Sequence, residues 1–168
     1  MGIRLTKIEL KNFRQYRNNK IEFNDDKKTD LHILIAKNGT GKTTLINSIM
    51  WCLYGKEYHL NDGPKSLQIL NEASLSEAQF DELLEVIVVL TLKDDDKTIK
   101  INRTNQYKVK KNIVGEKIVK LDKDEITATV LFNDEFRNPD IIHGIDAEVL
   151  IKQYFDENIF LILFVTGR

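Results

Sequence analysis

Apolar side chains fall at Leu5, Ile8, Leu10 and Phe13, with charged residues between them. The alternation slips once, at Lys7, and predicts a strand over residues 5–13 with one buried face. Residues 19–23 predict a second short strand, and DDKKTD at 25–30 a charged turn. Residues 31–36 (LHILIA) are nearly continuous in apolar side chains, which is the pattern of a strand covered on both faces. A glycine-bearing loop follows, and there the periodicity changes. Leu45, Ile46, Ile49, Met50, Leu53 and Tyr54 recur at helical spacing over residues 42–54, with Gly55 as a natural C-terminal stop.

Downstream, residues 58–66 read as a polar loop around Gly63 and Pro64, and residues 67–72 as a helical turn. The β-branched run at 83–92 predicts a strand. A turn at 94–97 joins it to the alternating TIKINR of 98–103. Residues 107–111 and 116–121 predict a further hairpin around 112–115, and 127–132 another strand. Residues 146–155 carry helical spacing, with Asp146 as N-cap. A buried strand and helix beside hairpin-rich antiparallel structure make an α/β or α+β nucleotide-binding lobe. The 168 residues read as one domain with no internal repeat.

Composition sharpens this picture only a little. Apolar residues make up 42% and charged residues 30%, an ordinary globular mixture. A net charge of -1 argues against a uniformly basic nucleic-acid coat and leaves room for a local basic face. Cys52, the one cysteine, sits in an apolar run and reads as a buried thiol in a reducing cytoplasm. The apolar stretch at 159–165 is too short to cross a bilayer, so no membrane partner is expected.

The chemistry concentrates in Ala36, Lys37, Asn38, Gly39, Thr40, Gly41, Lys42 and Thr43. Phosphate needs many donors at short range. A loop opening a helix offers unpaired backbone N–H groups and the positive end of the macrodipole. Gly39 and Gly41 let the backbone curl around a β-phosphate, Lys42 reaches the β- and γ-phosphates, and the Thr43 hydroxyl ligates Mg²⁺. Thr44 assists at the α-phosphate and Asn38 shapes the loop. The pattern calls for glycine where this chain has Ala36. If that position needs a positive φ, alanine costs roughly 1 kcal/mol. The expected ligands are therefore ATP and Mg²⁺.

Other candidates leave two readings open. Arg14, after the first strand, suits a phosphate or nucleic-acid contact, or a solvated arginine. Lys108, Lys110, Lys111 and Lys117, with Arg103 and Tyr107 nearby, suit either a nucleic-acid backbone or a solvated strand face, since Glu116, Asp122, Asp124 and Glu125 are close in sequence. His32, His59 and His143 lack metal-ligand spacing. Trp51 reads as core packing.

LTKIELKNFRQY and, about twenty residues later, LIAKNGTGKTTLINSIMWCLYGKE together resemble the N-terminal ATPase half of SMC–RecF-type proteins of the ABC ATPase superfamily. MWCLYGKE and TIKINRT look like the branch of DndD-like DNA-modification and defence ATPases. The resemblance implies a P-loop NTPase fold, the N-terminal lobe of an ABC-type ATPase head, cut off before a coiled coil. It implies a C-terminal half or partner subunit that supplies the signature motif, the Walker B aspartate and the catalytic glutamate. A homodimer and DNA are further implied partners. Residues 130–135 (VLFNDE) are interrupted by Asn133 and make a poor Walker B, and Gln153 a poor lid residue. The alternative is a catalytically silent interaction module stabilised by nucleotide.

Overall fold

The computed structural model describes residues 3–23, 37, 39–57, 69–94, 97–132 and 138–155. The charged turn at 25–30, the buried strand at 31–36, the loop at 58–66 and residues 133–135 lie outside them. Six antiparallel strands form one sheet in the order β2-β1-β3-β4-β5-β6. They are β1 (Arg4–Phe13), β2 (Tyr16–Glu22), β3 (Leu83–Lys93), β4 (Lys97–Lys111), β5 (Lys117–Phe132) and β6 (Asp140–His143). Among the described residues three helices accompany the sheet: α1 (Lys42–Tyr54), α2 (Glu72–Glu77) and α3 (Gly144–Tyr154).

Alternation sets one buried face, and the register aligns it. Ile8 pairs with Leu90, Leu90 with Ile101, and Ile101 with Ala128, so a single apolar row crosses four strands. Val86, Val88, Leu92, Ile99, Ile126 and Val130 extend that face, all buried. The slip at Lys7 is real: the pairing of β1 with β3 shifts between Leu5 and Lys7.

α1 packs on β3 and β4 and touches α3. Leu45, Ile49 and Leu53 sink into the core, each worth roughly 1.5–3 kcal/mol. Cys52 is fully buried, its thiol 3.3 Å from the Val88 carbonyl on β3 and 3.7 Å from the Ile101 carbonyl on β4. Burial pushes that thiol up to about 12, so it stays protonated and unreactive at neutral pH.

Several boundaries differ from the sequence pattern. β2 starts at Tyr16 rather than 19, because β1 and β2 are joined by a two-residue turn with Phe13 paired to Tyr16. The hairpin at 107–121 and the strand at 127–132 are parts of one long ribbon. The polar residues between them stay paired, Thr104 to Glu125, Asn105 to Asp124 and Gln106 to Lys123. Their polarity imitates a loop, but pairing satisfies the backbone. At 69–72 there is an extended bridge, Leu70 to Phe13, followed by α2, whose N-cap is Asn71. α3 begins at Gly144 with His143 at its N-cap, so Asp146 lies in its first turn, where its charge complements the dipole.

Arg103, grouped by sequence with the basic hairpin, is instead 4% exposed inside the fold. Its Nε donates to the Cys52 carbonyl at 3.1 Å, in the last turn of α1. Its guanidinium also pairs with Asp124 on β5 at 3.5 Å and Glu148 on α3 at 3.7 Å. A cation at a helix C-terminus is favourable, and this one joins α1, β5 and α3. Both carboxylates are about half exposed, so water can take over their charge. Arg103→Met should therefore destabilise by about 2 kcal/mol, mostly from the orphaned carbonyl and lost packing. Urea unfolding should show a lower midpoint at unchanged slope, with Arg103→Lys intermediate.

Candidate nucleotide-binding site

The site is built where the β1–β2 turn leans on the start of α1. Residues Arg14 and Gln15 form a two-residue hairpin turn, and Arg14 carries a positive φ of 49°, as turns of the primed classes require at that position. Asn12 is also left-handed, with φ 54°. Two left-handed non-glycine residues, one in the turn and one at the end of β1 leading into it, signal strain that the surroundings must hold. They do so with hydrogen bonds. The Asn12 amide donates to the Glu85 carbonyl at 2.9 Å and its oxygen accepts from Ser74 Oγ at 2.8 Å. Arg14 N donates to the Ile69 carbonyl at 2.6 Å, Asn71 N donates to the Asn12 carbonyl at 2.9 Å, and the Asn71 side-chain amide donates to the Arg14 carbonyl.

This braced turn runs along α1 and holds it at its N-cap, along its length and just past its C-terminal end. Tyr16 Oη donates to the Gly41 carbonyl at 3.0 Å, beside the bond from Leu45 N to the same oxygen at 2.8 Å. Partial burial raises the Tyr16 pKa, which keeps the phenol a donor. The Phe13 ring meets Trp51 at 5.5 Å between centroids, so Trp51 is core packing. Arg14 forms a bidentate pair with the buried Glu57, at 3.0 Å and 2.6 Å.

Gly41 sits at the N-cap of α1 with φ 105°, and no side chain caps that end. The first turn carries no acidic residue, so none of its own side chains offsets the positive end of the helix dipole. Gly39 is also left-handed, at φ 79°. The Lys37 carbonyl gathers the loop, accepting from Thr40 Oγ1 at 2.7 Å and Lys42 Nζ at 2.9 Å. Gln15, Gly39, Gly41, Lys42, Thr43 and Thr44 line a concavity of about 210 Å³. A slightly larger one, about 240 Å³, lies between Asn12 and α2, but its arginine, Arg17, is already held by Glu77. The smaller cavity is the one whose donors suit an anion.

Of the residues singled out by sequence, Lys37, Gly39, Thr40, Gly41, Lys42, Thr43 and Thr44 come together here. Ala36 and Asn38 lie outside the described residues. Arg14 is held by Glu57, so a phosphate contact from it requires that pair to open. Lys108 and Lys110 pair with Asp81, and Lys117 donates to the Ser76 carbonyl, all away from the loop. His143 stands at a helix cap, and the described residues contain no cluster that would hold a metal without a ligand's help. Sequence reading missed Gln15 and Tyr16. Only the two-residue turn aims them at Gly41, and nothing local in the pattern announces that turn.

The two glycines should respond differently to alanine. A Cβ at Gly39 meets open space and costs only the backbone penalty, roughly 1–2 kcal/mol. A Cβ at Gly41 would come 2.7 Å from Tyr16 Oη and closer still to the Gln15 amide. Both carry the backbone penalty of a positive φ, and Gly41→Ala must also displace the ends of the Gln15 and Tyr16 side chains, so it should weaken binding of a fluorescent nucleoside triphosphate more than Gly39→Ala does, measured by fluorescence titration.

The chain is 25% identical over 125 residues to the DNA replication and repair protein RecF of Clostridioides difficile (strain 630). That match covers 74% of this chain and 33% of RecF, so the chain spans about a third of the relative's length. A solved structure of the recombination mediator protein RecF with ATP, in the RecFOR pathway, is similar over 72% of this chain and 27% of that one, at 20% identity and a TM-score of 0.42. The sequence profile of the AAA domain matches residues 7–163, nearly the whole chain. The chain belongs to this AAA domain family, and its fold is that of a P-loop ATPase with an antiparallel sheet and packed helices.

Proposed function

We propose that this chain is the nucleotide-binding N-terminal half of an SMC/RecF-like ATPase head acting on DNA, in repair or in defence against phage and plasmids. The observation that carries the reading is the uncapped N-terminus of α1, with Gly41 left-handed, Lys42 beside it and no acid in the first turn. That arrangement suits the phosphates of ATP. Lys42 would neutralise the β- and γ-phosphates and the Thr43 hydroxyl would hold Mg²⁺, which supplies charge neutralisation at the transferred phosphoryl group. Similarity to RecF, whose name assigns it to DNA replication and repair, supports the DNA-directed part.

The size of the site supports a partner. A concavity of about 210 Å³ falls below the roughly 300–1,000 Å³ of pockets that enclose a whole small ligand. It fits a phosphate chain and leaves the nucleoside and the outer γ-phosphate face to be covered by something else. The proposed cover is the C-terminal half of the head or a second subunit, and that cover brings the catalytic carboxylate. The 168 residues act as one domain in this scheme.

The chain alone should therefore bind ATP–Mg²⁺ by calorimetry and turn it over at a rate close to uncatalysed hydrolysis. Lys42→Ala should weaken binding at least tenfold, the loss of one charge-assisted contact of about 1.5–3 kcal/mol. Fast hydrolysis by the isolated chain, lost in Lys42→Ala, would contradict the need for a partner.

A further inference from the structure

β4 stays paired with β3 as far as Lys108, and the buried Val109 is bonded to the Asp81 and Glu82 backbone; beyond it the β4–β5 ribbon runs on as a short two-stranded arm whose chemistry the nucleotide site does not use. Residues 107–121 hold five lysines, Lys108, Lys110, Lys111, Lys117 and Lys120, against one acid, Glu116, in a chain of net charge -1. Like charges face each other directly across the strands, Lys108 opposite Lys120 and Lys111 opposite Lys117. Such pairs destabilise a ribbon by themselves. Asp81 offsets part of this and is shared by Lys108 and Lys110. The acids that follow in sequence sit at the base of the arm. Asp122 is about 7 Å along the strand from Lys120 and offsets it, whereas Asp124 is roughly 23 Å from Lys117 at ~3.3 Å per residue, so the lysines nearest the tip are more than a Debye length from either acid at physiological salt.

The tip is apolar and fixed. Ile113 is fully exposed and Val114 is 77% exposed. The Asn112 side-chain oxygen accepts from Val114 N at 3.1 Å and Glu116 N at 2.7 Å, and Asn112 N donates to the Glu116 carbonyl at 2.9 Å. Two aliphatic side chains are thereby held outward at the end of a rigid two-stranded stem, with a lysine on each strand just behind them. Lys111 also stacks over the Phe80 ring, at 5.9 Å, and Lys117 donates to the Ser76 carbonyl, so the stem leans on the body through α2 and the segment after it.

We infer that this arm is a wedge for duplex DNA. Ile113 and Val114 press into a base step from the minor groove, and Lys111 and Lys117 leave Phe80 and the Ser76 carbonyl to take the phosphates on either side. Aliphatic wedges of this kind unstack one step and bend the duplex, and the energy of bending is offset by phosphate contacts. Charge complementarity selects the partner: the paired lysines need closely spaced anions on two sides, which the two backbones flanking a minor groove provide. The inference rests on the proposal that the chain acts on DNA and adds the surface and the mode of contact.

The test uses the full chain and a short mixed-sequence duplex labelled at both ends, with binding read by anisotropy across a salt series and bending by energy transfer. Wild type should bind and bend the duplex. Lys111→Gln combined with Lys117→Gln should make the salt dependence shallower by about two in slope, one per lost phosphate contact. Ile113→Ser combined with Val114→Ser should leave that slope unchanged and abolish the bend. Both pairs are at or near the tip, and retained nucleoside triphosphate binding shows that each variant is folded. Binding and bending unchanged in both variants would overturn the arm while leaving DNA association standing, as would binding by wild type without a bend. Tip-dependent binding to phosphatidylserine vesicles in place of DNA would overturn it in favour of a membrane surface. Absence of DNA binding by any form would overturn the DNA reading and the arm with it.

Discussion

The position of α1 on the sheet is the constraint from which the rest follows. A helix N-terminus is useful for binding phosphate only if its direction is fixed, and here almost every face of α1 is tied down. Leu45, Ile49 and Leu53 bury against the apolar row that crosses β1, β3, β4 and β5. Cys52 brings the helix close enough for its thiol to lie against two strand carbonyls. Arg103 takes the carbonyl at the C-terminal end, where a cation is favoured, and leaves the N-terminal end uncapped. The two ends are thus treated in opposite ways: the negative end is neutralised internally and the positive end, without a side-chain cap, is the one the proposal gives to a ligand.

The β1–β2 turn is the second half of this arrangement. The turn and the end of β1 leading into it hold two left-handed non-glycine residues, and their strain is offset by bonds to three other segments around Ile69, Ser74 and Glu85. The turn sets the rim of the candidate phosphate site through Tyr16 and Gln15. It also links that rim to Glu57, past the far end of α1, through Arg14. Movement of the loop would therefore be felt at both ends of the helix.

Local pattern carried much of this. The 3.6-residue periodicity located α1 to the residue, and the glycines and lysine before it located the loop, because both depend on neighbours in sequence. Even the bulge in β1 was visible as a slip at Lys7. What local pattern missed depends on pairing at a distance. The polar stretch at 104–106 looks like a break until its partners at 123–125 are known. Arg103 looks like a surface base until α1 is laid over it, and Gln15 and Tyr16 look like loop residues until the turn folds them onto Gly41. Residues that a fold recruits from separate elements leave no periodic signal, and the rim of the site is made of such residues.

The most direct test of the central claim is hydrogen exchange at the backbone amides of α1's first turn and the loop before it, with and without ATP–Mg²⁺. These N–H groups have no intrahelical acceptors, so they exchange quickly unless a ligand takes them. The account predicts slowed exchange at Gly41, Lys42, Thr43 and Thr44 on adding nucleotide, little change in the already buried C-terminal half of α1, and no slowing in Lys42→Ala at the same nucleotide concentration. Unchanged exchange at these four amides under saturating nucleotide, or protection appearing only elsewhere in the chain, would contradict it.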